Sequence, residues 1–320
     1  SWRASGLAIS ASALGFEFDP AFAPGDEERQ RFRFSGSTLR LASVDAALSW
    51  SAGRFGAEVV RASTGGGAFV ASLAAGRGRA SVRVGGGGLS REYWSPLGSG
   101  LPGASGGRNA RTAWLRGRYR PAPGWELWTE VRASSRPWRS YLLELPDSSW
   151  TVSSGVGGRL GSLGSFRLEA RRKRSDVESD DGLLDREARR IRAQLKTTGS
   201  PELVLIAVAA SSAVDGEEEG ALSAWGLRTT LETGTSSSLR AGVFTSSVRG
   251  SPGCHYLYEP RLPGRFGLAS LNTPGTRWYI LVHAGLAGRL GLSARLAGGP
   301  GREGIETGVS IDVSGRPAAG

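Results

Sequence analysis

The sequence predicts an all-β protein, a transmembrane antiparallel β-barrel of about 16 strands, with roughly 14 to 18 as the range. Three observations predict it. The hydrophobic pattern has a period of two almost everywhere, which is the strand signal. The alternating segments run to about ten to twelve residues, long enough to cross a bilayer at a tilt of about 45°. Short turns and longer connections alternate along the chain, which gathers the long ones at one end of the sheet.

The connections mark out the elements in order. A long one at 19–30 precedes one long, bulged strand at 31–50, and 51–53 is short, 64–66 tight, 76–77 short and 87–109 long. Pro121 to Gly124 is short, 136–148 long, Gly161 to Gly164 short and 175–185 long. Thr198 to Pro201 is short, 214–220 long, Gly234 to Ser237 short, 249–274 long, 286–288 short and 299–302 moderate. Between them the alternation is regular. Phe166, Leu168 and Ala170 oppose Arg167, Glu169 and Arg171; Ile191, Ala193 and Leu195 oppose Arg190, Arg192, Gln194 and Lys196. Leu290, Leu292, Ala294 and Leu296 oppose Arg289, Gly291, Ser293 and Arg295, and Ile305 to Val313 repeats the pattern. Asp185 to Leu195 can also be written as an amphipathic helix, but the period of two is preferred there. Both chain ends fall on the short-turn side.

Such two-faced strands bury their apolar sides by sandwiching, by stacking as repeats, or by closing to face lipid. Sandwich strands average five or six residues, and no repeat of 20 to 50 residues is present. Tyr119, Trp125, Trp150, Tyr256, Tyr258, Trp278 and Tyr279 fall near predicted strand ends, where an interfacial girdle places amphipathic rings. Trp114, Trp128 and Trp225 lie deeper, and a girdle does not explain them.

Other classes are excluded by inventory. The longest apolar run, Leu203 to Ala210, is eight residues, far short of the roughly 20 of a membrane helix. A single cysteine, Cys254, and two histidines, His255 and His283, supply neither a disulfide nor a His/Cys metal site. Gly103-Ala104-Ser105-Gly106-Gly107 matches GxSxG but sits in a Gly- and Ser-rich loop, not between strand and helix. Gly299-Pro300-Gly301-Arg302-Glu303-Gly304 matches GxGxxG but precedes a strand. His283 is the one deep catalytic candidate, and a lone His reads more readily as a satisfied wall residue. We expect no enzyme, no catalytic residues, no metal and no cofactor.

Charge is the remaining signal. Forty basic residues against 29 acidic ones give +11 and a pI near 10.8, and only Lys173 and Lys196 of the forty are Lys. The Arg residues alternate with apolar ones on strands and form no basic tail or recognition helix, so nucleic acid is not an expected partner. Alternation places Arg79, Arg83, Arg116, Arg118, Arg120, Arg132, Arg167, Arg171, Arg190, Arg192, Lys196, Arg228, Arg240, Arg277, Arg289 and Arg295 on the polar, lumen-facing side. Glu126, Glu130, Glu169, Glu232, Glu306 and Asp312 share it, while Asp26 to Glu28, Asp176 to Asp181 and Glu217 to Glu219 cluster in long loops. Two readings stay open. Arg cannot lose its proton and offers forked donors, so the lining attracts anions; or Arg and Glu pair across strands as a ladder that stiffens the wall.

Two stretches carry a resemblance. Gly88-Leu89-Ser90-Arg91-Glu92-Tyr93-Trp94-Ser95-Pro96-Leu97-Gly98 is one; Tyr256-Leu257-Tyr258-Glu259-Pro260 with Leu262-Pro263-Gly264-Arg265-Phe266 and Thr276-Arg277-Trp278-Tyr279-Ile280-Leu281 is the other. They resemble strand-end segments in the C-terminal barrel region of bacterial outer-membrane β-barrel proteins that often carry helix-hairpin-helix repeats. The resemblance implies a barrel and brings no settled activity. We therefore expect residues 1–320 to form a single outer-membrane barrel domain that lacks its native N-terminal segment. The expected function is porin-like passage of small, preferably anionic solutes, with loops 87–109 and 249–274 partly closing the lumen. The alternative is a non-conducting scaffold barrel of an envelope or secretion complex. Expected partners are outer-membrane lipid and lipopolysaccharide, and envelope proteins in the second case.

Overall fold

Alternating side chains and tight turns build one antiparallel sheet. The computed structural model describes residues 2–4, 6–22, 35–93, 109–137, 145–179, 182–232, 237–252, 255–258, 260, 262, 268–286, 290–300 and 305–313. The strands are β1 (Trp2–Ala4), β2 (Leu7–Phe22), β3 (Gly36–Trp50), β4 (Gly53–Ala62), β5 (Gly67–Arg77), β6 (Ala80–Leu89), β7 (Ala110–Tyr119), β8 (Glu126–Arg136), β9 (Asp147–Arg159) and β10 (Gly164–Ser179). They continue as β11 (Gly182–Thr197), β12 (Glu202–Val214), β13 (Glu217–Glu232), β14 (Ser237–Gly250), β15 (Tyr256–Tyr258), β16 (Leu268–Ser270), β17 (Gly275–Leu286), β18 (Leu290–Gly298) and β19 (Glu306–Val313).

Apart from the three-residue β1, β15 and β16, sixteen strands of 8 to 16 residues form the wall. Each pairs with its neighbours in sequence, and β14 with β17, in one sheet. The chain is all-β, with sixteen antiparallel strands in one sheet. Segment 185–195, open to a helical reading, lies in β11.

Face assignment follows from register, because directly opposed residues share a face. On β4 to β8 and their neighbour β3, one continuous row reads Leu48, Phe55, Leu73, Val84, Leu115, Val131, and each is 38–45% exposed. This is the outer face. Two rows further toward the loop end, beyond Ala46, Ala57 and Ala71, Ala11, Val44, Val59 and Phe69 repeat it, with Val59 60% exposed. The inner residues of the same strands are polar or buried.

One expected long loop is a two-residue turn, and strand residues extend into another. Asp215 (φ 49°) and Gly216 (φ 86°) both occupy the left-handed region, the geometry of a type I′ hairpin turn, and β10 reaches Ser179 before β11 begins at Gly182. Ladder bonds need no apolar side chains, so these strands continue after the apolar alternation stops. Asp176, Glu178 and Glu217 to Glu219 accordingly stand in strand ends and not in loops; Asp180, Asp181 and Asp26 to Glu28 lie outside the described residues.

The chain divides into two compact units, Ser1–Ser154 with Arg172–Glu187, and Gly155–Arg171 with Ala188–Gly320. In the first, Leu39, Leu41, Ala62, Leu89 and Tyr93 form a buried inner cluster against Phe16, Phe18, Val60, Ala68 and Val70. In the second, Val204, Ile206, Val208, Ala210, Leu222, Ala224, Phe244, Tyr279 and Ala297 bury together. That cluster is on the inner face, since Val204 opposes Arg228. The inner side of β12 to β14 is therefore largely apolar, not the charged surface that alternation implied. Two glycines make it possible: a Cβ on Gly226 would lie 2.0 Å from the ring of Phe244, and one on Gly242 would lie 2.5 Å from that of Tyr279. Both rings lie flat along the wall on the directly opposed glycine.

Leu271, 1% exposed, completes this cluster, and it belongs to the connection between β14 and β17. Ser212 Oγ donates to Ser251 O at 2.8 Å, and Ser246 Oγ donates to Thr273 O at 3.0 Å. Asn272 Oδ1 accepts from the amide of His255 at 3.0 Å. The described part of this loop packs on the inner face of its own unit. Of loop 87–109, residues 87–93 and Asn109 are described, and Tyr93 is buried in its unit's inner cluster.

Candidate functional site

The first unit concentrates Arg on one inner row. Arg54 opposes Ala74, Ala74 opposes Arg83, Arg83 opposes Arg116, and Arg116 opposes Glu130. Adjacent strands are about 4.8 Å apart, so β4 to β7 hold three guanidinium stems within a band about 15 Å wide. The next row toward the short turns adds Arg118, opposite Ser81 and Trp128. Arg54, Arg83, Arg116 and Arg118 line one cavity of about 480 Å³ together with Ala52, Ala74, Ser81 and their neighbours. Small side chains on β5 and β6 leave that space for the long ones.

Carboxylates reach only one side of this cluster. Glu130 pairs with Arg132 Nη2 at 2.7 Å and more loosely with Arg116 Nε at 3.9 Å. Glu126 lies 4.0 Å from Arg118 and 3.8 Å from Arg120. Arg54 and Arg83 form no ion pair among the described residues. A cross-strand ladder therefore exists on β7 and β8, and the row continues beyond it as unpaired cation on β4 and β6.

The second unit carries a shorter ladder. Glu169 accepts from Arg190 at 3.0 Å and lies 3.6 Å from Arg167; Arg171 and Arg192 share that face by alternation. Lys196 pairs with Glu202 at 2.5 Å. Arg228 opposes Val204 and Gly242, Arg240 opposes Thr230 and Leu281, and Arg277 opposes Phe244, all on the inner face. They are spread among apolar neighbours and do not form a row of their own.

Two expected lining residues are placed otherwise. Arg79 follows Gly78 (φ 61°) in the β5–β6 turn, and its Nη1 donates to Pro121 O at 2.5 Å; the turn removes it from the wall. Arg295 is inner-facing but only 3% exposed, because its Nε donates to Pro260 O at 3.1 Å and its Nη1 holds Glu306 at 2.9 Å. The docked loop has covered it. Arg289, the GxSxG string and most of the GxGxxG string lie outside the described residues.

His283 opposes Ser293 on the inner face, with Nδ1 and Oγ 2.9 Å apart. Ser293 is 1% exposed, so its hydroxyl is buried in this pair. The aromatic residues sort by face. Tyr119 and Trp125 are exposed near the short turns, and Trp150, at the opposite end, lies under Arg172 and Arg174 at 5.5 and 5.9 Å. Tyr279 is not a girdle residue but a buried inner one, and Tyr256 stands in β15, off the wall. Trp114 and Trp128 are inner residues, the former stacked on Gly85, and Trp225 is outer.

Arg54 was not singled out from sequence. It immediately follows the 51–53 turn, and only the register across β5 shows that it joins the Arg83 row.

No protein-family profile and no curated protein sequence matches the chain. Solved structures of similar type include the loop L8 deletion mutant of OmpT, an outer membrane protein of Vibrio cholerae (14% identity, 97% of this chain and 99% of that one, TM-score 0.43). A bacterial polysaccharide outer membrane secretin (11%, 96% and 95%, 0.35) and a mutant of the Rh. blastica porin (11%, 96% and 99%, 0.36) are also similar.

Proposed function

We propose that this chain is an outer-membrane β-barrel that passes small solutes, anions in preference to cations, along its Arg-lined inner face. Exposed apolar rows such as Leu48, Phe55, Leu73, Val84, Leu115 and Val131 form an outer surface that water does not tolerate on a monomeric soluble protein. The observation that carries the anion preference is the opposition of Arg83 and Arg116, with Arg54 two strands away in the same row. Like charges directly opposed across strands are destabilising, and a transient anion relieves that repulsion. A low-dielectric wall focuses the field of such a row and raises the local anion concentration.

The test is the reversal potential of the purified barrel in a planar bilayer under a KCl gradient. Anion selectivity that weakens when Arg54 and Arg83 are both replaced by Ala is expected; cation selectivity of the native barrel overturns the proposal.

The docked loop favours a second reading, a non-conducting barrel that acts as a scaffold in an envelope complex. Leu271 buried in the inner cluster and Arg295 bound to Pro260 O are what a permanently closed interior requires. Absence of any channel in the bilayer, with co-purifying envelope proteins, is the outcome that selects it.

A further inference from the structure

The outer face of the first unit carries a second basic feature, at the loop end of the wall and unrelated to the inner row. Arg61 opposes Ala42 and Gly67, one pair step above Val59, and Arg40 opposes Gly15, one step higher again. Both point outward, since they alternate with the buried Leu39, Leu41 and Ala62. Ala13, Gly15 and Ala42 are small, so the two long side chains flank a recess of about 510 Å³ that Ser63 also lines. The wall turns back at once above it, between β4 and β5, so nothing on these strands roofs the recess. Glu17, opposite Thr38, is the nearby carboxylate on this face. Among the described residues neither Arg40 nor Arg61 forms an ion pair with it or with any other carboxylate.

Height places the recess. The next outward Arg along these strands is Arg77, ten residues along β5 from Gly67, the partner of Arg61. That is about 34 Å along the strand and, at a tilt of about 45°, about 24 Å of height, close to the roughly 25 Å apolar band of a membrane barrel. On β2 to β6 the rows between are apolar; on β7 the Val59 row ends at Arg111. Arg40 and Arg61 thus stand at headgroup level where the apolar band ends, on the side of the longer connections, which in such barrels is the external side.

We propose that Arg40 and Arg61 form a binding site for the phosphate of an acidic glycolipid in the external leaflet, with its acyl chains lying along Val44, Val59 and Phe69. Two unpaired guanidinium groups above an apolar wall complement a lipid that is anionic at one end and apolar below. The site rests on the outer-membrane reading and goes beyond it by naming a lipid and its contacts.

The experiment reconstitutes the purified full chain in phosphatidylcholine vesicles containing either bisphosphorylated or dephosphorylated lipid A, and reads the midpoint of thermal unfolding by loss of the compact form on unheated SDS gels. The bisphosphorylated form is expected to raise the midpoint by several degrees over the dephosphorylated one. R40Q and R61Q should each reduce that difference and R40Q/R61Q abolish it, while R77Q retains it. Inorganic phosphate added to phosphatidylcholine vesicles should not reproduce the shift. Equal midpoints with the two lipids, or equal loss in R77Q, overturn the site. A shift given equally by inorganic phosphate overturns the lipid as its occupant. A chain that inserts but shows no lipid difference leaves the outer-membrane reading standing; a chain that does not insert overturns both.

Discussion

Arg295 Nε donates to the carbonyl oxygen of Pro260 at 3.1 Å, in a site where the guanidinium is 3% exposed. A single buried cation on β18 thus latches the connection between β14 and β17 onto the inner face, and Glu306 holds the other end of the same guanidinium. A hydrogen bond to a charged group contributes about 1.5–3 kcal/mol, enough to decide whether a loop stays docked.

Replacing Arg295 by Ala should therefore release this loop. Limited proteolysis in detergent should cleave within 251–274 at least tenfold faster than in the native chain, and single-channel conductance should rise. Unchanged protease sensitivity would show that Leu271 and the hydrogen bonds from Ser212 and Ser246 secure the loop without it.

Acid should loosen the same latch. His255 Nε2 is 3.1 Å from Pro252 O, and burial, with the Arg190 charge as a lesser cause, holds the ring below its ordinary pKa. The released loop binds a proton more readily than the docked one, so docking is fully favoured above about pH 6.5 and weakens as pH falls from there toward the lowered value. Cleavage within 251–274 should be faster at pH 5.5 than at pH 7.5, and H255Q should flatten the dependence. A pH dependence that survives in H255Q assigns it to another group.

Glu130 separates the two accounts of the Arg row. E130Q removes the carboxylate from Arg132 and Arg116; partly exposed pairs of this kind contribute about 1 kcal/mol or less, so the barrel should keep its thermal midpoint within a few degrees. Anion selectivity in a KCl gradient should increase. A large loss of stability with no change in selectivity would make the row a stiffening ladder only.

Gly242 is the tightest test of the inner wall. A methyl group there would stand 2.5 Å from the ring of Tyr279, which is 1% exposed and stacks at 6.4 Å on Phe244. G242A should cost about 1–3 kcal/mol through overpacking, seen as a lower thermal midpoint, and a smaller partner in Y279L should recover part of it. Native-like stability of G242A alone would mean the ring has room to move.

The fold was legible because alternation and turn chemistry are local. The period of two at 166–171, 191–195 and 290–296 marked strands directly, and the turn signals parsed the chain into the sixteen strands of the wall. What was not legible depended on partners distant in sequence. Asp215-Gly216 carries the Asp-Gly hairpin signal, yet the acidic run beside it reads as loop. Arg54 joins the Arg83 row only through the register of β5. Arg295 alternates like any lining residue, and no local pattern announces that Pro260, 35 positions away, covers it. Tyr279 sits near a strand end, but its burial is decided by Gly242 on the neighbouring strand.

The octet Leu203 to Ala210 is apolar on both faces of β12, with Leu205 exposed outside and Val204, Ile206 and Val208 buried inside. An uncharged apolar strand of this kind is aggregation-prone while it is exposed. Its inner side is covered in part by Leu271, from a connection more than 60 residues further along the chain. The burial of the inner side of β12 is thus completed by a connection far along the chain from the strand itself.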